Sequence, residues 1–242
     1  MSGLFSMDAW STVWNHKESF LLGLGNTLQT AVCALALAFI IGAALGLMST
    51  SGNKPLRIVA RIYVEFIQNT PLLLQLCFLY YALAFAGVSL GVIRTGIIAL
   101  GVYTGAYMGE VVRAAIESVP KGQFEAGYAQ GFNTVEVLLY IVLPQAYRNI
   151  VPTLLSQVIT TIKDSSYLAN VATIELMARI RQLLSAAGNY NGLGTVNVSD
   201  VMVLFGAACV IYFIINFTLS CIVRSMQNKR KKALVFAPAK AA

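Results

Sequence analysis

Few residue patterns in these 242 residues could perform covalent chemistry. There is no G-x-x-x-x-G-K-[ST] to cradle nucleotide phosphates, so ATP hydrolysis by the P-loop route is excluded. No H-E-x-x-H, no G-x-S-x-G and no Cys/His ligand spacing occurs either. The single histidine, His16, stands far from the four cysteines. Cys33, Cys77, Cys209 and Cys221 all lie inside apolar runs, where they read as small buried hydrophobes. The expectation is therefore a protein with no catalytic residues, no metal and no cofactor. What remains are polar groups set among long apolar stretches, and those suit binding or passage of a solute.

The composition explains why such groups stand out. The chain is 57% hydrophobic and 11% charged, against about a quarter charged in a soluble domain. The bilayer is the solvent for most of it. Ionisable residues at membrane depth are costly and are functional candidates by default. Glu110 is one, with Arg113 three residues on, close enough on one helix face to pair locally. Lys163-Asp164-Ser165-Ser166 interrupts an apolar run, and freed backbone at membrane depth is tolerated only where it lines protein or a watery cavity. Asn69-Thr70-Pro71 breaks another run, and Gln75 lies one turn beyond Pro71. We take Asn69, Thr70, Gln75, Glu110, Lys163, Asp164, Ser165 and Ser166 as candidates for lining a solute path. Local capping and a structural ion pair are the plainer readings.

A second group of residues sits outside the apolar runs, between Lys121 and Ala146. Gly131 suits a helix C′ stop, where a left-handed residue meets no Cβ clash. Asn133 then caps a new helix, with Glu136 three residues on to complete a box. Pro144 is expected to end that second piece. Phe124, Tyr128 and Phe132 fall at i, i+4 and i+8, an aromatic ridge. A ridge on a membrane protein's loop fits docking into a partner's groove, or packing against the chain's own spans.

These groups are positioned by about five predicted spans. Met1 to Ser19 is a mixed polar stretch unlike a cleaved signal peptide, with Trp10 and Trp14 suited to an interface. The first span has its apolar core at Ala31 to Met48, where Gly42 and Gly46 offer a close-packing face. Ser49 to Arg61 reads as a loop. The second span runs from Thr70 to about Ala86, and Val88 to Arg94 is a short connection. Ile97 to Val112 makes the third span, and about Asn149 to Thr161 the fourth, opened or kinked by Pro152. Ala172 to Ala186 reads as an amphipathic helix and Gly188 to Asp200 as a loop. Val201 to Val223 is an uncharged run, the clearest span. The domain plan is an interfacial segment over 1–22, a transmembrane domain over 23–223 and a basic tail over 224–242.

With five spans, the ends face opposite sides. If the tail is cytoplasmic, 12 of the 17 Lys and Arg lie inside or at the inner edge, and four (Lys17, Arg94, Arg179, Arg181) lie outside. This arrangement follows the positive-inside tendency. It puts the N-terminus outside and the Lys121–Ala146 loop in the cytoplasm. The net charge of +7 is explained by this placement, without nucleic acid.

Glu125-Ala126-Gly127, then Gly131, then Ile141-Val142-Leu143-Pro144, resembles the EAA loop of ABC importer permeases. The third motif position departs, with Gly127 where alanine is usual. The run Gly105 to Gln123 is similar to the polar amino-acid permeases, of the histidine, glutamine and glutamate type. So is Glu65 to Gln75, with Gln68 where arginine is more common, and so is Lys163-Asp164-Ser165-Ser166, with serine for threonine in K-D-T-S. The resemblance covers about residues 23–223. It implies an all-α, type I importer permease in the bacterial inner membrane, taking up polar amino acids by alternating access. It implies a coupling loop formed by Phe124, Glu125, Ala126, Gly127, Tyr128, Gly131, Ile141, Leu143 and Pro144. It also implies partners: two ATPase subunits, an identical or paralogous permease and an extracytoplasmic solute-binding protein. Two other classes fit the composition. A secondary transporter should show repeated halves, and no internal repeat is seen. A channel-forming subunit without an ATPase should tolerate changes in the loop.

Overall fold

Long helices follow from the apolar runs, since a chain in lipid must satisfy its backbone internally. A computed structural model describes residues 7–88, 90–171, 174–190 and 198–235, and these contain no strand. The helices are α1 (Met7–Asn15), α2 (Lys17–Thr50), α3 (Lys54–Gln68), α4 (Leu72–Phe85), α5 (Val92–Glu117), α6 (Lys121–Ala129), α7 (Thr134–Glu136), α8 (Leu143–Asp164), α9 (Leu176–Tyr190) and α10 (Val198–Val235). A π-helical stretch, Val137–Val142, joins α7 to α8, and a 3₁₀ stretch, Ser165–Val171, follows α8. Among the described residues, α2, α5 and Val201–Asn228 of α10 are long and apolar enough to cross a membrane. The interrupted pair α3 and α4 would make a fourth crossing if it counts as one span. The 22 residues of α8 reach about 33 Å, though they are more polar.

Internal contacts divide the chain into two compact units. One gathers Met1–Ala34, Leu72–Leu100 and Thr161–Phe217, and its core includes Phe20, Leu176, Ile180 and Leu204. The other gathers Leu35–Pro71, Gly101–Thr160 and Thr218–Ala242. In this second unit, α2 and α5 approach closely because small residues remove the side chains between them. A Cβ on Gly42 would stand 2.5 Å from the Met108 Cβ, and one on Gly46 would enter Val112. Gly101, Gly105 and Gly109 of α5 receive Leu37, Ile41 and Leu45 in return. The close-packing face expected of Gly42 and Gly46 is present.

Several boundaries differ from the expectation. Residues 54–61 are helical rather than a loop, because Asn53 stands at the N-cap position and Pro55 in the first turn, where proline's missing N–H is harmless. Pro144 does not end a helix. The Leu143 N–H bonds back to the Leu138 carbonyl, five residues earlier. This wider turn carries the chain past the proline ring into α8. The first span begins at Lys17, well before its apolar core, so α2 includes part of the expected interfacial segment. Arg94 lies inside α5, whose start is marked by Gly91 at φ +73°. α9 continues to Tyr190, and α10 carries the basic tail as helix to Val235. Residues 172–173 and 191–197, parts of the expected amphipathic helix and loop, lie outside the described residues.

Candidate functional site

The loop expected to dock a partner is the most completely specified local structure. α6 ends at Ala129, and Gly131 adopts φ +87°. The Gly131 N–H donates to the Tyr128 carbonyl at 3.0 Å, and the Phe132 N–H to the Gly127 carbonyl at 3.2 Å. This is the Schellman pair that closes a helix C-terminus. Two residues on, Asn133 Oδ1 accepts from the Val135 and Glu136 N–H groups, each at 3.0 Å. Glu136 Oε2 accepts the Asn133 N–H at 2.8 Å, completing the capping box.

The aromatic ridge divides between packing and exposure. Phe124 is half-buried and packs against the core cluster that includes Ala115, Val119 and Val137. Tyr128 and Phe132 are exposed, joined by Val135. The ridge therefore serves both readings, one end as packing and the other as surface. Glu125 and Ala126 are exposed as well. Gly127 is buried, and a Cβ there would come within 2.7 Å of Ile141 Cδ1 and 2.8 Å of Val137 Cγ2. The missing methyl lets α6 rest directly on the π-helical stretch, which explains glycine at this position. Leu143 and Pro144 lie in the first turn of α8 rather than on the loop. Gln145 ties this turn back to Gln123 of α6, Nε2 to Oε1 at 3.1 Å.

The second group lies where α8 ends. Asp164 is the last α-helical residue, and the chain tightens to 3₁₀ at Ser165. The break expected at Lys163–Ser166 is present. Lys163 is exposed, Asp164 half-buried and Ser165 buried, and Ser165 Oγ donates to the Ile162 carbonyl at 2.7 Å.

Close by in the same unit stands a residue that sequence reasoning did not single out. Glu175 is fully buried and caps α9: its oxygens accept the Met177 N–H at 2.8 Å and the Ala178 N–H at 2.7 Å. Tyr212 Oη donates to the same carboxylate at 3.3 Å and also interacts with Thr27 and Ser165. Thr27 Oγ1 accepts the Leu176 N–H at 3.2 Å, and Asn26 Nδ2 donates to the Ile174 carbonyl at 2.6 Å. Burial pushes the Glu175 carboxyl up to about 7, against the opposing pull of its N–H donors. The network joins α2, the 3₁₀ stretch, α9 and α10. The one sequence cue was a carboxylate just before an amphipathic run, an N-cap signature.

The remaining candidates divide. Asn69 caps α3, its Nδ2 donating to the Glu65 carbonyl at 2.7 Å, and Thr70 Oγ1 donates to the Phe66 carbonyl at 2.9 Å. Glu110 pairs with Arg113, which also holds Glu117. Asn69 and Glu110 line one cavity of the second unit. Gln75 is half-buried on α4, in the first unit, and does not line that cavity.

Residues 38–232 match the model for the binding-protein-dependent transport system inner membrane component family. A probable glutamine ABC transporter permease of Bacillus subtilis is 34% identical over 223 residues, covering 92% of this chain and 98% of the relative. The glutamine transport system permease of Escherichia coli K12 is 32% identical over 224 residues, covering 92% and 97%. An L-cystine transport system permease of B. subtilis is 33% identical over 217 residues, covering 88% of each. A crystal structure of an amino acid ABC transporter with histidines superposes with a TM-score of 0.79. It is 28% identical and covers 93% of this chain and all of that one.

Proposed function

This chain belongs to the binding-protein-dependent transport system inner membrane components, and from that premise we propose how it moves solute. It is the permease subunit of an amino-acid ABC importer in the inner membrane. Its ATP is hydrolysed elsewhere, by two ATPase subunits that seat on the loop from Phe124 to Gly131. A second permease chain and an extracytoplasmic solute-binding protein complete the assembly. The N-terminus lies outside and the basic tail inside, over five crossings.

One observation carries the docking assignment. The turn that ends the loop is fixed by a Schellman pair and, directly after it, a capping box, while Glu125, Tyr128 and Phe132 stay exposed. Such a loop is rigid yet leaves polar and aromatic groups free for a partner. Displacement would pass through Gly127 to Val137 and Ile141, and then along α8, which starts at Leu143 and ends at the Lys163–Ser166 break. A continuous helix of about 33 Å converts a push at one end into movement at the other, the physical requirement for alternating access. At the far end, Lys163, Asp164, Ser165 and Ser166 line the solute path. Asn69, Thr70, Gln75 and Glu110 are further candidates for that path.

The test is purification of the chain from its own membranes in mild detergent, with identification of co-eluting proteins. A co-eluting ATPase bearing a Walker motif is the expected result. Solute transport by the chain without an ATPase would favour a secondary transporter or channel.

A further inference from the structure

α3 has three faces rather than two. Ala60, Val64 and Ile67 are buried, the first two packing with Leu45 of α2. Ile58, Val59, Ile62 and Phe66 are exposed and apolar, a stripe suited to lipid. The third stripe carries Arg57, Arg61, Glu65 and Gln68 at i, i+4, i+8 and i+11. It lines a cavity of about 470 Å³ together with Glu110, Arg113 and Glu117 of α5. All of these residues belong to one compact unit.

The cavity wall thus holds three guanidinium groups and three carboxylates. If these charges served to clamp α3 to α5, ion pairs would cross between the helices. Among the described residues they do not. Arg61 pairs with Glu65 on α3, and Arg113 pairs with Glu110 and Glu117 on α5. Arg57 has no ion-pair partner among the described residues. Each side of the cavity therefore offers both signs of charge, with Arg57 uncommitted. A simple anion would face three carboxylates, and a simple cation three guanidinium groups. A molecule carrying both charges a few bonds apart meets complements to each: a guanidinium fork for its carboxylate and carboxylate oxygens with spare lone pairs for its ammonium group. The volume lies within the ordinary range for small-ligand sites.

We propose that this cavity is a second, weak binding site for a free zwitterionic amino acid, with its carboxylate at Arg57 and its ammonium group at Glu65 and Glu110. This rests on the amino-acid importer reading and its orientation, which put the cavity near the cytoplasmic ends of α2 and α5, where released solute arrives. Lys163–Ser166 belong to the other compact unit, and none of them lines this cavity.

The experiment uses the full complex in inside-out vesicles, with a chain stripped of its native cysteines and carrying Ser49→Cys in the cavity wall. The rate of maleimide labelling at this position is followed as solutes are added. L-glutamine and glycine should each slow labelling several-fold. N-acetyl-L-glutamine, which lacks the ammonium group, and L-glutaminamide, which lacks the carboxylate, should not. Adding Arg57→Gln should abolish the protection, and Arg57→Lys should restore part of it. Equal protection by inorganic phosphate would make the cavity an anion site. Protection that follows the phosphatidylglycerol content of the vesicles would assign it to lipid headgroups. Either result, or no protection by glutamine and glycine, overturns the proposal. The same vesicles are assayed for ATP-dependent uptake: uptake without protection removes only the inner site, whereas absence of an ATPase removes the importer reading itself.

Discussion

Replacing Gly131 isolates the backbone's contribution to docking. No atom lies within 4 Å of where its Cβ would stand, so a new side chain meets open space. Only the φ of +87° resists it. An L-residue in the left-handed region costs about 1–2 kcal/mol, and a β-branched one more. The alternative is to open the turn and lose the bonds from the Gly131 and Phe132 N–H groups, each contributing about 0.5–1.5 kcal/mol net. Both routes come to about 1–3 kcal/mol, or roughly 5- to 150-fold in the balance between closed and open turns. If the ATPase recognises only the closed turn, its apparent affinity falls by the fraction of chains that still hold it. Asparagine tolerates the left-handed region better than alanine, and valine is worst. The assay is ATPase recovery by pull-down, with uptake, from membranes holding equal amounts of permease. Recovery should fall in the order Gly131, Gly131→Asn, Gly131→Ala, Gly131→Val. Normal docking and uptake by Gly131→Val would refute the reasoning, and so would an Asn variant as impaired as Val.

Other outcomes test the proposed topology and sites. In a chain without native cysteines, Gln227→Cys should resist an impermeant maleimide added outside, and Asn191→Cys should react; reversed labelling would overturn the orientation. Single neutral replacements Lys163→Met and Asp164→Asn should each lower uptake, and the double variant should stay inactive while still assembling with the ATPase. Full recovery in the double variant would reduce the site to a structural ion pair. The Glu175 carboxyl titrates at about 7 in the fold, above its ordinary range of about 4.3 when unfolded. The folded state therefore binds the extra proton. That stabilisation is full below about 4.3 and is lost as the pH rises through about 7. The thermal midpoint should fall between about pH 4.3 and pH 7 and level off above that, and Glu175→Gln should flatten that slope. An equal slope in the variant would show that another group is responsible.

The features legible in the sequence were those fixed by neighbouring residues. Gly131, Asn133 and Glu136 form their turn from contacts within six residues, so letter spacing was enough to place it. Gly42 and Gly46 announced a close helix contact, although their partners on α5 emerged only in the fold. Longer-range compensation was harder to read. Pro144 looks like a stop because the π-helical stretch that accommodates it leaves no mark in the apolar pattern of Val137–Val142. Lys54 to Arg61 reads as a loop when its charges are counted, yet its three faces each find a different surrounding. Glu175 was hidden because its partner Tyr212 lies 37 residues away, and Thr27, which holds the neighbouring Leu176 N–H, lies 149 residues from Leu176. Gly127 looked like a departure from its motif, and the contact with Val137 and Ile141 supplies the reason.

The central claim, that the Phe124–Gly131 loop receives an ATPase from the cytoplasm, is tested most directly by cross-linking. A photoreactive group attached at Tyr128→Cys in a chain without native cysteines is illuminated in native membranes, with the same group at Gln29 as a control within the first span. The account predicts a cross-linked product containing a Walker-motif ATPase from position 128 and none from position 29. The same product from both positions, or none from position 128 in membranes that still import the amino acid, would contradict it.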